Sequence, residues 1–153
     1  MTRTLKFPFF LLVSLVCLPL SLSAQGLQES YQRIFKQGLD LFEKGLYAES
    51  LPYFERAAAD NEMSATGESA AFYRARVLVK IDSSSAALYT DRFLQQYPRS
   101  NRAAELLKDI SARHLENGNL EDAIARMDQA IDYPQSRKDR SELYYKLGET
   151  SAE

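Results

Sequence analysis

Few side chains in this chain could do chemistry, and their spacing does not assemble a reaction centre. His114 is the single histidine among 153 residues. A metal site needs several His, Cys or carboxylate ligands together, and a nucleophile needs a base beside it. One imidazole supplies neither, so His114 reads as a core or hairpin-interface residue. Asp109, Glu121 and Asp122 read as acids on solvated helix faces. No glycine-rich phosphate loop is present. Ser83, Ser84 and Ser85 read as a turn, because serine competes for backbone hydrogen bonds there. The chain is therefore expected to have no catalytic, metal-ligating or cofactor-binding residue, and not to be an enzyme.

The N-terminal stretch has a different kind of meaning. Arg3 and Lys6 precede an uncharged run over 7–20, and Ser21, Leu22, Ser23 and Ala24 follow it. That is the anatomy of a secretory signal peptide over 1–24, with cleavage after Ala24. The run is shorter than the roughly 20 residues a spanning helix requires. Cys17 raises lipidation, but Ser14, Leu15 and Val16 are a poor lead-in to an acylated cysteine. Cleavage after Ala24 leaves a mature chain without cysteine, held by its apolar core alone. Removing Arg3 and Lys6 leaves 17 basic against 21 acidic residues, a net charge of −4. Both signs are interspersed, so no basic stripe for nucleic acid and no Lys-rich amphipathic segment for anionic lipid is expected. Export across an inner membrane to the periplasm or cell envelope follows, with no integral membrane segment in the mature chain.

The rest of the chain reads as helices. Apolar residues recur at helical spacing over 31–43, 47–58, 70–81, 86–97, 102–116 and 120–133, and a seventh helix opens at Ser141. The breaks are Gly45, a polar connector over 60–67, the serine cluster, Pro98, Asn117-Gly118-Asn119 and Pro134. Proline cannot continue a helix, and glycine supplies the positive φ of a helix end. No strand alternation is visible.

A period underlies these helices. Gly38, Ala75, Ser111 and Gly148 are small residues separated by 37, 36 and 37 positions. Ala57, Phe93 and Ala130 repeat at 36 and 37, and Gly45 and Gly118 lie 73 apart. Small residues let two antiparallel helices approach closely. Tyr47, Phe54, Leu120 and Met127 fill the spaces between. Each hairpin leaves an apolar face, so it must stack on the next.

At these positions the chain resembles the tetratricopeptide repeat family. Tyr144, Leu147 and Gly148 match the first-helix pattern; so do Leu107, Ile110 and Ser111, and Ile34 and Gly38 with Gln37 where leucine is usual. Gly45, Gly118 and Tyr47 match the turn, and Ala123 with Met127 and Ser50 with Phe54 match the second helix. In the second repeat either Ala75 fills the small slot with Arg74 in a core slot, or the register is one residue off. The resemblance implies an all-α, right-handed solenoid of antiparallel hairpins. It places repeats near 31–64, 67–100 and 104–137 within a domain over 25–153, plus a partial repeat at 141–153. The Tyr97-Pro98-Arg99-Ser100 helix end resembles envelope proteins of this family in Gram-negative bacteria.

The resemblance implies a protein-interaction scaffold whose first helices line a groove for a protein or peptide segment. Helical projection places Phe35, Leu39, Phe42, Phe72, Arg76, Lys108, Ala112 and Tyr145 on that side. Phe35 and Phe42 read equally well as packing between repeats. A structural arm of a longer protein is the competing reading, since 141–153 holds only the first helix of a fourth repeat. Tyr144, Tyr145 and Leu147 would then be an unmatched surface able to self-associate, and the polypeptide is expected to continue past Glu153.

Overall fold

The computed structural model describes residues 18–59 and 64–133, with side chains from Ser30 onward except that of Ser83, and residues 141, 142, 144, 145, 148 and 149. Residues 1–17, including Cys17, lie outside the described residues, as does Leu147. Six helices follow in order: α1 Leu18–Glu43, α2 Tyr47–Ala59, α3 Ala65–Ile81, α4 Ser83–Gln96, α5 Ala103–Glu116 and α6 Leu120–Ile131. No strand occurs among the described residues.

α3 and α4 start earlier than the periodicity predicts, because their caps lie upstream of the apolar pattern, and α1 reaches upstream of the expected start at Tyr31. The described part of α1 reaches back to Leu18. The expected cleavage point after Ala24 falls within this helix. α3 starts inside the expected polar connector, because the Ser64 hydroxyl accepts from the Gly67 N–H at 2.9 Å. The serine cluster is not a free turn. Asp82 caps α4 by accepting from the backbone N–H groups of Ser84 (3.1 Å) and Ser85 (3.4 Å), which draws the serines into the first helical turn.

The two hairpin glycines do what their spacing implied. Gly45 and Gly118 have φ of +76° and +75°. Gly45 N–H donates to Phe42 and Leu46 N–H to Leu41; Gly118 N–H donates to Leu115 and Asn119 N–H to His114. This is the same Schellman closure twice. A Cβ at either glycine meets nothing within 4 Å, so strain alone sets the cost of substitution. Gly45→Ala and Gly118→Ala are each expected to cost about 1–2 kcal/mol in thermal unfolding.

The Asp82 cap has a pH signature. Hydrogen bonds from Ser84, then Ser85, lower its pKa from 3.8 to about 2. A depressed folded pKa means the cap's contribution is present above pH 3.8 and lost as pH falls through about 2. The Ser84 and Ser85 amide resonances are expected to titrate with a midpoint near 2 and not near 3.8. Asp82→Ala should abolish that titration.

Packing is consecutive. α1 pairs with α2, α3 with α4 and α5 with α6; each second helix also touches the next first helix. First helices touch one another, α1 on α3 and α3 on α5, whereas α2, α4 and α6 make no backbone approach to each other. The first helices thus form a tight inner row and the second helices splay outward. The result is an all-α, solenoid-like stack of antiparallel hairpins.

The small slots explain the pairing. A Cβ on Gly38 would lie 2.9 Å from Tyr53 Cβ and 3.1 Å from the Phe54 ring. Ala75 is 0% exposed, so it fills the second repeat's small slot without a shift of register. Arg74 keeps the neighbouring core slot by laying its guanidinium 4.7 Å from the Tyr89 ring centroid. Ser111 is buried and donates to the Ala123 carbonyl at 2.8 Å, bonding α5 directly to α6.

Candidate partner-binding surface

The eight residues expected to line the inner row do not share one environment. Phe35 and Phe42 are half-buried in a ring cluster that joins the first hairpin to α3. Phe35 lies 5.8 Å from both Phe54 and Tyr73, and Phe42 lies 5.2 Å from Tyr73. Phe54 and Tyr73 stack at 5.3 Å and 18°. Of the two readings for these aromatics, the structure shows packing between repeats, with part of each ring still exposed.

Phe72 is a correction. It is 2% exposed and meets Phe93 at 5.9 Å. Its ring packs in the apolar core instead of lining the inner row. Arg76 sits beside the row but is already engaged. Its Nε donates to Asp109 at 2.6 Å, and Nη1 lies 2.9 Å from Glu105. The guanidinium also stands 5.3 Å from the Phe72 ring and 5.7 Å from that of Phe42. Arg76 therefore ties α3 to α5. Leu39 and Lys108 are half-buried and Ala112 is exposed. Tyr145 lies on the helical residues of 141–149 and is 68% exposed. A hydrogen bond to Glu149, and then that carboxylate's charge, push its phenol pKa up. His114 sits at the α5–α6 turn with Nδ1 3.8 Å from Asp122.

The outer row is tied differently. Arg126 on α6 reaches Asp91 on α4 through both Nη atoms, at 2.5 and 3.2 Å. This bidentate pair spans two helices whose backbones do not meet. Ser100 donates to Glu68 at 2.6 Å, fixing the loop after α4 onto α3.

Of one pocket on the inner row the pattern named only Ala112. A cavity of about 170 Å³ between α3 and α5 is lined by Val79, Lys80, Asp109, Ala112, Arg113 and Glu116. Helical spacing could have found it, because Lys80 lies four residues beyond Arg76 and Glu116 four beyond Ala112. A larger cavity of about 320 Å³ lies within the first hairpin, lined by Ile34, Gln37, Pro52, Tyr53 and Arg56, and contains none of the expected residues.

No helix among the described residues is long and apolar enough to cross a membrane. No family model matches the chain, and no curated protein matches it.

Proposed function

We propose that this chain is a non-catalytic protein-interaction scaffold of the bacterial cell envelope, and that its hairpins are tetratricopeptide-like repeats. The observation that carries the reading is the continuous row of first helices, which gives a partner segment one long face of three parallel ridges. That face combines partly exposed apolar residues, Leu39 and Phe42, with exposed Ala112 and the charged residues beside it. Rings and aliphatic side chains flanked by charge suit an extended or helical peptide.

The repeat assignment is supported by second-helix slots that recur in register. Ser50, Ala86 and Ala123 are 0%, 1% and 0% exposed, and Phe54, Thr90 and Met127 are 0%, 0% and 5% exposed. Both series advance by 36 and then 37 residues. The envelope assignment rests on the N-terminal sequence and on the Tyr97–Ser100 resemblance.

Photo-crosslinking tests the reading. A crosslinker at Ala112, on the inner row, is expected to capture a partner from envelope extract. One at Leu88, 50% exposed on α4, is not. Equal capture at both positions, or none at either, would reject the scaffold reading in favour of a structural arm.

A further inference from the structure

The edge of the stack that carries the hairpin turns is both apolar and acidic. The three turns, at 44–46, 82 and 117–119, share this edge because consecutive antiparallel hairpins repeat one direction. Each hairpin leaves a large apolar side chain uncovered there. Leu46, Ile81 and Leu120 are 42%, 43% and 36% exposed, and Leu115 stands beside Leu120 on the third hairpin. Together they are four of the seven exposed large hydrophobic residues among those described. Single apolar residues on a surface are ordinary, but a row confined to one edge marks a contact site.

The charge of the edge identifies its partner. In the last turn of each first helix, the connector and the first turn of each second helix, seven acids stand against three bases. That is a surplus of four negative charges, where the whole chain has a surplus of two. The pairs Lys44–Asp40 and Arg113–Glu116 cancel. Lys80 then remains against Glu43, Glu49, Asp82, Glu121 and Asp122. A second copy of this edge would repel the first, and an anionic lipid surface would repel it too. The complement is apolar and basic.

Spacing adds a shape. α1, α3 and α5 touch in turn, and packed helices stand about 8–10 Å apart. A helix rises about 1.5 Å per residue, so seven residues cover about 10 Å and return a side chain to the same face. We propose that the hairpin-turn edge is a docking surface for a basic amphipathic helix of a partner protein. The helix sets one apolar residue in every seven against Leu46, Ile81 and Leu120, with Lys or Arg on either side. This surface is separate from the inner row and goes beyond the scaffold reading.

The test is fluorescence anisotropy of the full chain with a labelled, amidated peptide of about 18 residues. Leucine stands at every seventh position, lysine flanks each leucine on the same face, and alanine and glutamine fill the rest. This peptide is expected to bind. A peptide of the same composition with its leucines spread around the helix is not, nor is one with glutamate for lysine. Leu46→Ser and Leu120→Ser are each expected to weaken binding about tenfold. Glu121→Lys should weaken it by about fivefold. Glu55→Lys, the same charge change at an exposed position on α2 away from the turns, should leave it unchanged. Circular dichroism of each variant confirms folding, and amide shifts at Leu46, Ile81 and Leu120 place the site.

No binding at about 1 mM peptide, equal binding of the rearranged peptide, or equal loss in Glu55→Lys would overturn the proposal. Capture of the chain by anionic vesicles that Leu46→Ser abolishes would overturn it by assigning the edge to lipid. A dimer in light scattering that Leu46→Ser dissolves would overturn it by assigning the edge to a second copy. The scaffold reading fails separately, because its crosslink at Ala112 on the inner row is expected to persist in Leu46→Ser.

Discussion

Replacing Phe54 by alanine is expected to cost the fold about 3–5 kcal/mol, the range for truncating a fully buried phenylalanine. Phe54 is 0% exposed and touches the rings of Phe35, Phe42 and Tyr73. It also lies against Gly38, where α1 and α2 come closest. The cavity left behind would open at the joint between the first hairpin and α3. The neighbouring rings cannot collapse into it without separating those helices. Urea unfolding should show the midpoint fall, and hydrogen exchange should show protection lost first in α1 and α2. A double-mutant cycle with Tyr73→Leu is expected to give a coupling of about 0.5–1.5 kcal/mol for the stacked pair. A Phe54→Ala midpoint equal to wild type would mean that this ring cluster does not hold the hairpins together.

Ala123→Phe is expected to destabilise by about 1–3 kcal/mol through overpacking, with a further contribution from a lost hydrogen bond. Ala123 is 0% exposed, and its carbonyl accepts the hydroxyl proton of Ser111, itself 1% exposed. A phenyl group here must push α6 from α5. Ser111 then loses its acceptor while still buried, which adds about 1–3 kcal/mol. Ala123→Phe with Ser111→Ala should therefore cost less than Ala123→Phe combined with an independent Ser111→Ala. Thermal unfolding resolves this, since about 1 kcal/mol moves the midpoint of a domain this size by several degrees. An unchanged urea midpoint in Ala123→Phe would show that the hairpin interface is looser than drawn.

The proposed binding surface is where the pattern of residue types was least sufficient. Helical projection assigns a residue to a side of its helix but carries no information about what the neighbouring helix brings there. Phe72 and Arg76 were both placed on the inner row. One is core, and the other is consumed by Glu105 and Asp109, which arrive from α5 some 30 residues later in the chain. The cavity at Lys80 and Arg113 has the same origin, because its walls come from two hairpins.

What the sequence by itself determined was everything set by short range and by period. Gly45 and Gly118 ended their helices where a left-handed residue was needed, and Pro98 stopped α4. Gly38, Ala75 and Ser111 marked the close approaches, because only a small side chain permits them at any hairpin. What only the tertiary structure decided was the contact between repeats. There an aromatic cluster joins the first hairpin to the second, and ion pairs from Arg76 and Arg126 reinforce the second against the third. Those partners lie 29 to 35 residues apart in the chain. Their pairing depends on the stacking angle of whole hairpins, which no local spacing encodes.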